Sequence, residues 1–562
     1  MEIFPENKKN KILFFLSFSI ITLVNLYVFF PSFFHIARAD HLCFLAETAK
    51  FDQFKDLTRF AYSYTRTRQL GIGDQMLFRP CLYMFLSLER WFFQYNFTLW
   101  QITSFVLHLI VLFQLLRIFY LLMPGLLAGF FVLSFSVWYL SAEMVIWHHI
   151  VGYLLFLIFF LQAFHHFIIY ILDGQQKTKE LWWILGCLTL GCFTYEFGLF
   201  CCFVFIAAIY FHRRFILPRE DKEKTVGQFK SLWILLLPVM LYAVLSLWDY
   251  GVRMGLKIPV SVVVKQGGIW SGVCFLSVIL SEGFLFPYFL KIFLNPSLRT
   301  ELVFSSSRIN FLKQAGALHT AGSQDIWAAI NFLYLVLICL ALIYALSVLI
   351  KNRRHPLAED RSKRQDLIFI AGTVMVFFVA YMAMILFGRF SLRGGNLIRT
   401  SLYYFYFPGI FLALTMVAML AWVRKPVGIK MGFLSFLIGS ALACSTVVGV
   451  HQTYQYNKKV RGASAPFRNY VVRLNRFVED HKKEKDFSFD VYWSQVDYRL
   501  LFTTDAEGKI PYVNNFYYFF FPRFLKTDHP KYYIVYLLEN GLAAFKTHEQ
   551  AKEYLDDYVA KH

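Results

Sequence analysis

Residues 98–121 read TLWQITSFVLHLIVLFQLLRIFYL, an apolar run of 24 residues. A helix needs about 20 such residues to cross the roughly 30 Å hydrocarbon layer of a bilayer, so this run reads as a membrane span and decides the fold class. Lys11 to Phe34 reads the same way. It is too long for a signal peptide and lacks a small-residue cleavage site, so it reads as a retained anchor. Beyond 121, apolar runs follow at 125–141, 150–172, 181–195, 197–212, 231–248, 326–350, 367–386, 401–423 and 431–450. A further stretch, 269–292, is apolar but holds Glu282 and Pro287. Of the 562 residues, 58% are hydrophobic and 16% charged. Soluble proteins run at about 45–50% and 25%, so the apolar excess has to face lipid. An ordinary cytosolic enzyme, a disordered chain and a disulfide-stapled mini-protein are excluded.

The net charge of +20 comes from 56 Lys+Arg against 36 Asp+Glu. Much of it sits in short loops between spans, where the positive-inside rule and anionic headgroups account for it. No nucleic-acid partner is called for; the partners at this level are membrane lipids. Lys8 and Lys9 put the N-terminus in the cytoplasm. The segments 212–230 and 351–366 carry six basic residues each, and Arg424, Lys425 and Lys430 mark a third. All should lie inside, so an even number of crossings separates 212–230 from 351–366. Runs 231–248 and 326–350 supply two, which makes 269–292 re-entrant or interfacial. The count is about eleven to twelve transmembrane helices.

Two soluble pieces then lie outside. The first loop, 35–97, contains an amphipathic helix over 79–94, with Leu82, Phe85, Leu86 and Phe93 on one face that can lie on the membrane. The C-terminal region, 451–562, turns polar. It reads as a helix over 467–481 followed by strands at 487–493, 512–521 and 532–538, a small α/β domain. The predicted fold is an all-α polytopic membrane protein, 1–450, with an extracytoplasmic α/β domain at its C-terminus. Seven of the nine cysteines lie in or beside apolar runs; Cys43 and Cys81 share the first loop and can pair if it is oxidised.

The unusual polar residues gather outside. Asp40 follows the first span; Glu143, His148 and His149 lie in a short outer turn; Glu196 sits in the turn Thr194-Tyr195-Glu196-Phe197-Gly198; Arg389, Arg393 and Arg399 lie in a late outer loop. The inner ends show charge runs but no comparable set of acid, His and Arg. Each residue also has a plainer reading: Glu196 as a cap on the next helix, the histidines as interfacial groups, the arginines as headgroup anchors. As a set, acids and arginines on one face suit an anionic, lipid-linked donor and a hydroxyl acceptor. A sugar on a polyprenyl phosphate needs a base for the acceptor and cations for the departing phosphate.

Four pieces of this sequence resemble the GT-C class of integral-membrane glycosyltransferases, nearest to protein O-mannosyltransferases and their bacterial relatives. They are ADHLCFLAETAKFD at 39–52, FRPCLYMFLSLERWFFQYNFTLWQITSFVLHLIVLFQLLRIF at 78–119, SAEMVIWHHIVGYLLF at 141–156 and TYEFGLF at 194–200. The resemblance implies a GT-C-like membrane domain and transfer of a sugar from a polyprenyl-phosphate donor to a lipid, glycan or protein acceptor. It implies Asp40 as base, Glu143 and Glu196 as site residues, and Arg79 of the Arg-Pro pair among the substrate-binding set. Asp40 is flanked by Ala39 and His41 rather than by a second acid, which speaks against a bound divalent cation; no other cofactor is implied. Tyr403-Tyr404 stand where the class often has Arg-Tyr, so the phosphate contact is Arg393 or Arg399. A bacterial plasma membrane is the expected location. The competing functions are a lipid-linked glycan ligase or polymerase, whose long loop would come late in the chain, and a lipid or glycan transporter, which would show repeats and a midplane site.

Overall fold

The computed structural model describes residues 8–35, 53–58, 79–93, 96–138, 142–173, 177–216, 232–254, 340, 358–385, 406–424, 431–481, 487–493, 531–538, 541–545, 550 and 553. The helices are α1 (Lys8–Phe29, continued as a 3-10 turn over Phe30–Phe34), α2 (Pro80–Phe93), α3 (Phe97–Leu122), α4 (Leu126–Ser136) and α5 (Ala142–Ile146). They continue with α6 (Val151–Leu172), α7 (Thr178–Cys192), α8 (Phe197–Phe211), α9 (Leu237–Met254), α10 (Ala358–Met384), α11 (Tyr406–Arg424) and α12 (Met431–His481). Among the described residues, seven helices are long and apolar enough to cross a membrane. They fall on seven of the runs named above, and the chain is an integral membrane protein. The run 269–292 and, apart from Leu340, the run 326–350 lie outside the described residues.

Three expected spans differ. The run 125–141 is not one helix. Gly125 takes φ 137°, a left-handed conformation that glycine adopts freely, and starts α4, which ends after 11 residues. At 1.5 Å per residue α4 covers about 16 Å, too little to cross alone. α7, with 15 residues, is also short. The last span does not stop at 450: α12 runs unbroken for 51 residues, so the expected span 431–450 and the expected helix 467–481 are parts of one helix. Beyond it, β1 (Phe487–Trp493) pairs parallel with β2 (Lys531–Leu538), and β2 pairs antiparallel with β3 (Gly541–Phe545). The strand expected at 512–521 lies outside the described residues.

Lipid supplies no hydrophobic drive between helices, so close packing and buried hydrogen bonds hold the bundle together. A Cβ on Gly449 of α12 would stand 2.8 Å from the Val137 carbonyl oxygen, and the Thr453 hydroxyl donates to that same oxygen at 2.7 Å. Asn25 of α1 donates to Ser136 Oγ at 2.8 Å. At the centre, Phe160, Phe377 and Phe411 meet edge-to-face or stacked, and Tyr381 stacks on Phe407 at 4.9 Å.

The bundle has two polar ends. His212 Nε2 meets Asp366 Oδ1 at 2.8 Å. The turn after α8 and the start of α10 therefore lie at the same end of the bundle.

Candidate functional site

At the end opposite His212, the turn between α7 and α8 receives the N-terminus of α2. The Cys81 backbone N–H donates to the Phe193 carbonyl at 3.1 Å, which sets Arg79 over the turn. Arg79 then forks onto Glu196, Nε to Oε1 at 2.7 Å and Nη2 to Oε2 at 2.6 Å. The guanidinium also lies 5.0 Å from the Tyr195 ring centroid. Two parallel charge-assisted bonds of this kind are the strong form of the Arg–carboxylate pair. Burial works against the Arg79 charge, but the Glu196 carboxylate outweighs it and holds the guanidinium proton more firmly than usual. Glu196 stands at the N-cap position of α8 without capping it by its side chain. The capping reading is therefore corrected: the carboxylate faces Arg79. The turn is tight because a Cβ on Gly198 would stand 2.7 Å from the Cys192 backbone N.

A second clamp sits further along α2. Glu89 Oε2 meets His148 Nε2 at 2.7 Å, and His148 Nδ1 meets Ser104 Oγ at 2.5 Å. Trp100 packs edge-on to the imidazole, with centroids 5.1 Å apart. Both ring nitrogens of His148 are thus engaged. Burial pushes the Glu89 carboxyl above the usual carboxylate range, against the pull of His148. Glu89 and Ser104 did not figure among the sequence candidates. The available signal was periodicity: Leu82, Leu86, Glu89 and Phe93 share a helical face, and the acid on that face is only 5% exposed. The membrane-facing assignment of that face is also corrected. Leu82 and Leu86 are buried against the bundle, while Met84, Leu88, Trp91 and Phe92 form the exposed side of α2. The helix is apolar on both sides, which a single-face reading could not divide.

Glu143 and His149 lie in the same short stretch as His148, and both are buried. The structure therefore brings Arg79 to Glu196 and His148 to α2. Asp40, Arg389, Arg393 and Arg399 lie outside the described residues, as does Cys43. Among the described residues, no three His, Cys, Asp or Glu side chains converge as a metal site.

The expectation that the other end lacks a comparable polar set is overturned. There Arg117 Nη1 donates to Gln162 Oε1 at 3.0 Å, Gln162 Nε2 meets His166 Nε2 at 2.8 Å, and His166 Nδ1 meets Glu180 Oε2 at 2.5 Å. The i,i+4 pair Gln162 and His166 joins a residue of α3 to one of α7, a contact that no local pattern announces.

No family model matches the chain, and no curated protein matches it. Among solved structures the chain is similar to the crystal structure of the Archaeoglobus fulgidus oligosaccharyltransferase in its apo form, with a TM-score of 0.41 and 11% identity. The match covers 88% of this chain and 64% of that one, so this chain spans less than two thirds of that protein's length. At that score the likeness fixes neither fold nor function.

Proposed function

We propose that this chain is a glycosyltransferase that moves a sugar from a polyprenyl-phosphate donor to an acceptor hydroxyl at the Glu196 end of the bundle, on the outer face of the membrane. The observation that carries the reading is the gathering of Arg79, Glu143, His148, His149 and Glu196, mostly buried, at one end of the bundle beside α2, where the Arg79–Glu196 fork fixes the framework. Groups of this kind at membrane depth are costly and are functional candidates by default. Asp40, which follows the first span in the sequence of the first loop, is the base. It takes the acceptor proton as the acceptor oxygen bonds to the anomeric carbon and the bond from that carbon to the phosphate oxygen breaks. Arg393 or Arg399, with Arg389, stabilises the departing phosphate.

The clamps refine the remaining roles. Arg79 and Glu196 neutralise each other, and His148 has no ring nitrogen to spare. These residues position α2, while Glu143 and His149 keep the role of substrate contacts. The competing reading is a lipid or glycan transporter, which would bind the same lipid-linked sugar without consuming it. Purified protein incubated with extracted polyprenyl-phosphate sugars separates the two. The transferase consumes the donor and Asp40→Asn does not. Donor left intact by wild type in the presence of acceptor extract would count against transfer and favour transport.

A further inference from the structure

Among the described residues, the far end of the bundle holds a cation without a counter-ion. Arg117, on α3, is 8% exposed. Its Nη1 donates to Gln114 and Gln162, both neutral amides. Its Nε is buried with no hydrogen-bond partner, and no carboxylate pairs with it among the described residues. Glu180, the acid of this cluster, is taken by His166, which also stacks on Trp183 at 5.4 Å. Next to His166, with ring centroids 5.6 Å apart, and one turn from Gln162, lies His165, 6% exposed, whose Nδ1 is also buried without a partner.

A buried arginine without an anion is strongly unfavourable, and two amides do not neutralise it. The depth of the site is informative. Arg117 lies five residues before the end of α3 and His165 seven before the end of α6, about 8–11 Å along the helix axes from those ends. An arginine this near a span end reaches toward the headgroups with its long side chain. Arginine forks match phosphate oxygens, and a neutral imidazole N–H adds a third donor.

We propose that Arg117 and His165 form a phosphate-binding site, distinct from the transfer site, that holds the headgroup of an anionic phospholipid between α3 and α6 at the His212 end. The site is independent of the proposed transferase activity: its ligand binds the opposite leaflet and takes no part in the reaction. The positive-inside pattern makes that leaflet the cytoplasmic one.

The test is native mass spectrometry of the full chain in detergent, titrated separately with phosphatidylglycerol, phosphatidylcholine and inorganic phosphate. Wild type should retain phosphatidylglycerol about tenfold more tightly than Arg117→Gln, the loss expected for one charge-assisted contact. Arg117→Lys should keep most of the binding, and His165→Ala, which leaves the Arg117–amide contacts intact, should weaken it by a smaller factor. Displacement of the lipid by inorganic phosphate, with phosphate itself lost in Arg117→Gln, would name free phosphate as the ligand of the same site. Equal phosphatidylglycerol retention in wild type, Arg117→Gln and His165→Ala would overturn the proposal. So would equal retention of phosphatidylcholine by wild type. Should Arg117→Gln fail to fold, the His165→Ala comparison decides alone.

Discussion

The two ends of the bundle bury charge in different ways. At the Glu196 end the two clamps are closed: Arg79 is matched by Glu196 and Glu89 by His148. At the His212 end the acids are matched, Glu180 by His166 and Asp366 by His212, but among the described residues Arg117 has only amides. The contrast separates structure from ligand demand. A closed pair holds helices together, whereas a buried charge left open calls for an ion from outside. It also shows where the account of transfer depends on residues beyond the clamps, since the closed pairs leave the base and the phosphate contacts to Asp40 and the arginines at 389–399.

The comparison can be broken in several ways. The largest effect is expected on chemistry: Asp40→Asn should lower the transfer rate by about 10²–10⁴-fold, the usual weight of a general base, while the purified protein still elutes as a monodisperse species. A smaller fall would remove Asp40 as base. Next comes the clamp. Glu196→Ala strands a buried guanidinium and should destabilise the protein by about 3 kcal/mol, read as a lower midpoint of thermal unfolding in detergent, and Arg79→Ala/Glu196→Ala should recover part of that loss. A double variant no better than the single would show that the pair is not coupled. Gly198→Ala brings a Cβ against the Cys192 backbone and should cost about 1–3 kcal/mol as an overpacked contact, visible in the same unfolding measurement.

The smallest effect is a slope. The folded protein holds the Glu89 proton more tightly than the unfolded chain does, because burial raises its pKa. Its contribution is therefore present below the ordinary carboxylate pKa and is lost as pH rises through the raised value. Thermal midpoints measured from acidic to neutral buffer should fall more steeply with pH for wild type than for Glu89→Gln. Identical slopes would remove Glu89 as the titrating group.

The membrane helices were legible because a soluble core rarely uses an apolar stretch of about 18 residues or more without charge. The expectation that 212–230 and 351–366 share a side rested on the preference of Lys- and Arg-rich loops for one face. The His212–Asp366 bond gives that inference a physical contact. Helix breaks were harder to read. Nothing in the run 125–141 marks the stop after Ser136, since its composition stays apolar through Val137 and Trp138. Glu196 and His148 stood out as polar residues in apolar turns. Arg79 stood out through the Arg-Pro resemblance, but its pairing with Glu196, 117 positions away, did not, and neither did Glu89, 59 positions from His148. Arg117 and Glu180 drew no expectation from the sequence, and only packing reveals that both are buried.

The central claim is that the Glu196 end performs sugar transfer with Asp40 as base. It is tested most directly by quantifying polyprenyl-phosphate sugars by mass spectrometry in a deletion strain rescued with wild type or with Asp40→Asn. The account predicts that one lipid-linked sugar accumulates and that only wild type clears it. No change in any such lipid, or equal clearance by Asp40→Asn, would contradict it.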